Sequence, residues 1–245
     1  AALKSFCWAT MGLMYQRSAR RMARLVAARR IVSHEDLRAP GSPGHEVVRA
    51  SRLLQVLELP SANLPPASIR PDASLRREVL GRFGHAEGPV LGLHLSARKP
   101  SQRWPEQHFV ALIQALHARL PQWRFALFWS PGDENNPLHP GDDGKASRIV
   151  AACAGLPVWP LRTARLGELI AGLSCCDQVL CADGGHMHLA AALGKPIVCL
   201  FGKSDASRWH PWGVPFRLLQ PPSQDVSDIG VEAVLAALAE LQADA

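Results

Sequence analysis

Ala182-Asp183-Gly184-Gly185-His186-Met187-His188-Leu189-Ala190-Ala191-Ala192-Leu193-Gly194-Lys195-Pro196-Ile197-Val198-Cys199-Leu200-Phe201-Gly202 decides the fold of this chain. It reads as a strand end, a glycine turn, a short helix and a buried strand. An acid, two glycines and two histidines fall where the turn meets the helix. The first amides of a helix lack intrahelical acceptors and attract anions. Glycine lets a bulky group approach the backbone closely. Such a turn at the carboxyl edge of a parallel sheet is the architecture of a site for a phosphate-bearing ligand.

The pattern extends outward in both directions. From Pro89 onward strands and helices alternate: strands over Val90–Leu95, Phe125–Trp129, Val158–Trp159, Gln178–Cys181 and Ile197–Phe201, with helices over Glu106–Leu120, Lys145–Ala154, Leu166–Leu173 and His186–Leu193. Right-handed crossovers then make the sheet parallel. Pro105 sits just before its helix, as a first-turn proline does. Residues 229–242 predict a terminal amphipathic helix with Val231, Val234, Leu235 and Leu238 on one side.

Toward the N-terminus, residues 1–59 read as mostly helical. An arginine-rich helix is expected over Met14–Val26, a short strand over Arg30–Ser33 and a second helix over Gly44–Leu57. Pro60–Pro71 holds four prolines, a linker signature, and residues 72–84 predict a further helix.

The chain has 245 residues, 47% of them hydrophobic, enough for one large domain or two small ones. No apolar run is long enough to cross a bilayer. The first residue is alanine and no signal peptide is visible, which fits a processed product, a trimmed chain or a fragment. The six cysteines (Cys7, Cys153, Cys175, Cys176, Cys181, Cys199) form no C-x-x-C pair and read as reduced core residues of a cytoplasmic protein. The formal net charge is +6. The excess is early, where Arg17, Arg20, Arg21, Arg24, Arg29, Arg30 and Arg38 face only Glu35 and Asp36. Such a cluster suits a solvated helix face, an anionic membrane surface, a phosphorylated substrate or nucleic acid. No zinc-finger or stacking-aromatic motif supports nucleic acid.

Several loops at the predicted carboxyl edge carry candidate chemistry. In Ser96-Ala97-Arg98-Lys99-Pro100-Ser101-Gln102-Arg103-Trp104-Pro105, the cations Arg98, Lys99 and Arg103 and the hydroxyls of Ser96 and Ser101 suit a diphosphate, while Trp104-Pro105 reads as a packing and helix-start element. In the opening stretch, Asp183 is expected to accept from sugar hydroxyls, Gly184 and Gly185 to present amides, and His188 to donate to a phosphate. His186 is expected only to cap the turn. Gly132, Asp133 and Glu134 are nucleoside-side candidates, although Pro-Gly-Asp is also ordinary turn chemistry. Lys203 and Ser204 are expected to face the same crevice. There is no P-loop, no dinucleotide-binding G-x-G-x-x-G and no G-x-S-x-G elbow. Asp142-Asp143 makes a poor metal site, and neither a metal nor a cofactor is expected.

Asp183-Gly-Gly-His-Met-His188-Leu-Ala-Ala-Ala-Leu-Gly-Lys-Pro-Ile-Val-Cys-Leu-Phe-Gly202 resembles the signature D-[ST]-G-x-x-H-x-A-A-A-x-G-x-P-x-[VI]-x-[LI]-[FY]-G of glycosyltransferase family 9, the bacterial lipopolysaccharide heptosyltransferases. Ala97-Arg98-Lys99 through Arg103-Trp104-Pro105 is similar to the family's basic loop ending in W-P. The resemblance covers residues 89–242, and more weakly 1–59. Two positions depart from the family: Gly184 replaces its usual hydroxyl residue, and Gln102 stands where some members have lysine.

The resemblance implies an α/β fold of GT-B type. Residues 1–59 would be the remnant of an incomplete, acceptor-side N-terminal domain, and 60–88 a linker and connecting helix. Residues 89–228 would be a Rossmann-like donor-binding domain with a parallel sheet, and 229–245 a helix packing back toward the N-terminal domain. The implied partners are a nucleotide-sugar donor, ADP-heptose foremost, a lipid A–core acceptor and the anionic inner face of the inner membrane. The implied reaction is inverting and metal-free, with its general base in an N-terminal segment absent from this sequence. The competing readings are a non-catalytic nucleotide-sugar-binding protein, a GT-B sugar-nucleotide epimerase, and a nucleic-acid-binding protein that uses the arginine-rich helix.

Overall fold

Six strands form one all-parallel sheet: β1 (Val90–His94), β2 (Arg124–Trp129), β3 (Val158–Arg162), β4 (Gln178–Ala182), β5 (Ile197–Leu200) and β6 (Phe216–Leu219). Their order in space is β3-β2-β1-β4-β5-β6. The chain starts in the middle, builds outward to β3, then returns to the other side of β1 and builds outward to β6. Loops leaving β1 and β4 therefore diverge to opposite sides, and a crevice opens between them at the carboxyl ends of the strands. The computed structural model describes residues 44–56, 58–59, 63–83, 88–136 and 140–243. The arginine-rich helix and the short strand expected before residue 34 lie outside them.

The chain divides into two compact units, Ala1–Leu64 and Pro65–Ala245. In the first, α1 (Glu46–Val56) occupies the helix expected over 44–57. The second holds the sheet and the helices α2 (Ala73–Phe83), α3 (Glu106–Arg119), α4 (Asp143–Ala152), α5 (Leu166–Ser174), α6 (Gly185–Ala192), α7 (Ala206–Trp209) and α8 (Val231–Ala243).

Alternation along the strands sends side chains to two cores. On one face Leu91, Leu93, Phe125, Leu127, Leu180 and Val198 pack under α3, α4 and α8. On the other face Val90, Ala126, Phe128, Val179, Ile197 and Cys199 pack under α2, α5 and α6. Burial on both faces explains why β1, β4 and β5 are almost wholly apolar in sequence, as strands of a covered parallel sheet must be.

The helix over 73–83 is more than a connector. Val79 and Phe83 are buried in the second core, and Phe83 stacks on Trp159 at 4.6 Å. The preceding proline-rich segment is tied down as well, with the Ile69 amide donating to the Ala192 carbonyl at 3.0 Å. The terminal helix buries Val234, Leu235, Leu238 and Leu241 in the core of the second unit. There it lies against α3, β5 and β6.

Two short elements went unread in the sequence, α7 and β6. The strand β6 is only half-buried and flanked by prolines, so it lacks the apolar run that marks its neighbours. The five described cysteines are free thiols. Burial pushes Cys199 up to about 12 and Cys176 and Cys181 far above the ordinary thiol range, so all three are inert core residues.

Candidate functional site

The loops that leave β1 and β4 enclose a crevice of about 720 Å³. Its floor is His94 and Ser96 from the end of β1, and Asp183, Gly184, Gly185 and His186 from the turn into α6. Arg98 and Lys99 stand on its rim, exposed to solvent. Leu166 and Leu169 of α5, Leu189 of α6 and Pro140 form an apolar wall. Leu166 is 63% exposed, unusual for a leucine of its unit. Cations, helix-start amides and an apolar wall together suit a ligand with phosphate at one part and a planar or apolar group at another.

The loop after β1 is braced from beneath. Trp104 is 1% exposed, and its indole N–H donates to the Ile229 carbonyl at 2.8 Å. Lys145 donates to the Trp104 carbonyl at 2.6 Å, and burial lowers its pKa to about 8. Arg103 turns away from the crevice. It donates to the Ala97 carbonyl at 2.9 Å and pairs with the fully buried Asp142, whose carboxyl burial pushes up. Ser101 is placed elsewhere too: its carbonyl lies against Gly202, where a Cβ would clash with it. Of the five residues expected on a diphosphate, Ser96, Arg98 and Lys99 line the crevice, while Arg103 and Ser101 shape the loop that carries them.

Gln102 is the keystone of this loop. Its side-chain amide donates to Asp183 Oδ2 and to Ser204 Oγ, both at 2.8 Å. One buried side chain thus links the loops after β1, β4 and β5. Asp183 therefore has one oxygen held in place and presents its carboxylate to the crevice. Ser204 belongs to this network, whereas Lys203 is exposed and outside the crevice lining.

The two histidines of the turn part company. His188 lies outside the crevice lining and meets Trp209 edge-on, with centroids 6.4 Å apart. His186 lines the crevice, donates through Nε2 to the Ala182 carbonyl at 2.8 Å, and stacks on His94 at 3.8 Å with planes 10° apart. Burial lowers the His186 pKa to about 4, and burial plus the neighbouring imidazole holds His94 well below the usual range. Both rings are neutral at pH 7. A Cβ on Gly184 would sit 2.7 Å from His186 Cε1, so glycine at this position is matched to the folded-back ring. The φ of Gly184 is 168°, extended backbone open to any residue, so its side chain is excluded by the imidazole and not by strain.

The nucleoside-side candidates also sit apart. The Gly132 amide donates to Asp143, Glu134 pairs with Arg148, and Asp133 caps Asn135. From this stretch the crevice receives Ser130 and Pro140 instead. Sequence reasoning missed His94, Leu166 and Leu169. Only His94 left a positional signal, at the carboxyl end of β1; Leu166 and Leu169 belong to a helix whose place beside the crevice no local pattern marks. Among the described residues no group of three or more His, Cys, Asp or Glu could hold a metal ion.

Comparison with known proteins agrees with this geometry. The family model for glycosyltransferase family 9 (heptosyltransferase) matches residues 13–225. Lipopolysaccharide heptosyltransferase 3 of Escherichia coli is 30% identical over 149 residues, 60% of this chain and 40% of that protein. Lipopolysaccharide heptosyltransferase 2 of E. coli K12 is 28% identical over 140 residues, 55% of this chain and 37% of that protein. The chain thus spans about two fifths of the length of these relatives. Among solved structures, E. coli ADP-heptose heptosyltransferase II superposes with a TM-score of 0.63 at 25% identity, over 77% of this chain and 57% of that one. A glycosyl transferase family 9 protein from Veillonella parvula superposes at 0.71 and 20% identity, over 85% of this chain and 62% of that one. The α/β fold is of GT-B type, seen here through its Rossmann-like unit, and the chain belongs to glycosyltransferase family 9.

Proposed function

We propose that this chain carries the donor site of an inverting glycosyltransferase that moves a heptose or related sugar from a nucleotide-sugar to the lipopolysaccharide core. The crevice at the β1/β4 divergence carries the reading. Arg98, Lys99 and the first amides of α6 surround one volume and would take the diphosphate. The same groups would stabilise the charge that builds on the leaving diphosphate, an electrostatic role that needs no metal. Asp183, held by Gln102, would fix the donor sugar. The apolar wall of Leu166, Leu169 and Pro140 would take the base.

ADP is the nucleotide of choice in this reading, because family relatives of the same fold are described with ADP and with an ADP-2-deoxy-2-fluoro heptose. The acceptor would be lipid A–core, met at the anionic inner face of the inner membrane on the cytoplasmic side. No described helix is long and apolar enough to cross a membrane. Asp183, the one carboxylate of the crevice lining, is not the general base in this reading.

Calorimetric titration with ADP, UDP and ADP-heptose tests the donor site. ADP and ADP-heptose are expected to bind, and an Arg98→Ala/Lys99→Ala variant to bind both at least tenfold more weakly. If the unmodified chain binds none of the three, the donor-site reading is wrong.

A further inference from the structure

The stacked pair of His94 and His186 has features that packing alone does not explain. His94 is 5% exposed and lines the crevice, and its Nδ1 is buried with no well-formed hydrogen bond among the described residues, only the Ser96 backbone lying near the ring. A buried polar atom left unpaired costs about 1–3 kcal/mol, which a phenylalanine or leucine in the same space would avoid. The His186 Nε2–H is spent on the Ala182 carbonyl, so its Nδ1 keeps a lone pair. Gly184 leaves the room that this ring orientation requires. The charged and titratable groups around the pair are Asp183 and His188, from the turn and helix that carry His186; Arg98 and Lys99 stand on the rim.

Lone-pair nitrogens select their partners. A phosphate oxygen offers no proton and would meet the imidazole lone pair with repulsion, whereas a hydroxyl donates to it. The cationic rim and the helix start already suit the phosphates. We propose that the stacked His94–His186 pair forms a hydroxyl-recognition subsite on the crevice floor, in which His186 Nδ1 accepts a hydrogen bond from a sugar hydroxyl of the bound nucleotide-sugar and His94 holds the ring in place. This rests on the donor-site reading above and adds the acceptor chemistry to it. Two sources offer such a hydroxyl, the ribose and the transferred sugar.

The test measures binding of ADP, 2′-deoxy-ADP, 3′-deoxy-ADP and ADP-heptose to the unmodified chain and to His94→Phe and His186→Phe variants. Phenylalanine keeps the stack and removes the lone pairs. A variant that weakens ADP-heptose about 2- to 10-fold, the size of one neutral hydrogen bond, and leaves ADP unchanged places the transferred sugar on the pair. A variant that weakens ADP by the same factor, but no longer distinguishes ADP from one deoxy analogue, places the ribose there. Variants that bind all four ligands as the unmodified chain does overturn the subsite and leave the donor site standing. Failure of the unmodified chain to bind any of them overturns both.

Should either variant fail to fold, ¹⁵N spectra of the imidazoles in the unmodified chain decide. The Nδ1 resonance of His186 is expected to move upfield on ligand binding, as its lone pair accepts a proton donor. An unchanged resonance at saturating ADP-heptose overturns the proposal.

Discussion

His94 and His186 stack face to face at 3.8 Å on the floor of the β1/β4 crevice, one from the end of a strand and the other from the first turn of a helix 92 positions later in the numbering. The contact fixes the floor of the site without any charge, because both rings are held neutral. It also accounts for Gly184, the position at which the sequence departs from the family signature.

Gly184→Ser therefore should not act as a simple restoration of the family residue. Its Cβ would lie 2.7 Å from His186 Cε1, so the imidazole must swing out and release the Ala182 carbonyl. The expected result is a loss of about 1–3 kcal/mol in stability and a rise of the His186 pKa toward its ordinary value. In a His186→Ala background the same serine should be nearly neutral. Chemical denaturation of the four proteins of this cycle checks it, and equal losses in both backgrounds would refute the coupling.

Gln102 ties Asp183 to Ser204, so its loss is felt both in folding and in binding. Gln102→Leu should destabilise the unit by about 1–3 kcal/mol, because Asp183 and Ser204 lose a buried donor. Gln102→Lys, the residue of some family members, keeps a donor to Asp183 and should be the milder change for ADP-heptose affinity. If the leucine variant binds as tightly as the unmodified chain, Asp183 does not depend on this brace.

Arg103 and Arg98 are only five positions apart but should behave oppositely. Removing Arg103 strands the buried Asp142 carboxylate, so Arg103→Met is expected to cost about 3–5 kcal/mol in stability. Arg98→Met leaves the melting temperature almost unchanged and weakens ADP. Thermal melts alongside calorimetry separate the two, and a reversed pattern would exchange their roles.

The stability of the second unit should fall as pH drops from 6.5 toward 4. The unfolded chain takes up a proton on His186 near 6.5, and the folded chain takes it up only near 4. More protons are bound by the unfolded state in that window, so stability is full above it and declines through it. His186 contributes at most about 3 kcal/mol, and His94 acts in the same direction. Asp142, whose carboxyl burial raises, acts oppositely, so the informative quantity is the difference between the unmodified chain and His186→Phe. Urea unfolding at pH 7.5 and 4.5 should show the unmodified chain losing stability relative to His186→Phe at the lower pH.

Leu166→Asp should leave folding intact, since the residue is exposed at the start of α5, and should weaken nucleotide binding severalfold through loss of the apolar wall. Unchanged ADP affinity would remove the base from that wall.

The sequence by itself determined the order of elements. Strands such as Val90-Leu-Gly-Leu-His94 and Ile197-Val-Cys-Leu200 are apolar because both faces are covered, and that pattern is local. It also determined which loops stand at the carboxyl edge, and with them Arg98, Lys99, Asp183, Gly184 and Gly185, because alternation of strand and helix leaves no other edge for them. Only the tertiary structure decided which side chains of those loops face inward. Arg103 is indistinguishable from Arg98 in sequence, and Asp142, distant along the chain and buried beside it, turns it away together with the Ala97 carbonyl. His186 and His188 are two residues apart, about 200° around a helix, so only one of them can face the crevice. The stack on His94, a contact between a strand's end and the first turn of a helix that no local pattern encodes, selects His186.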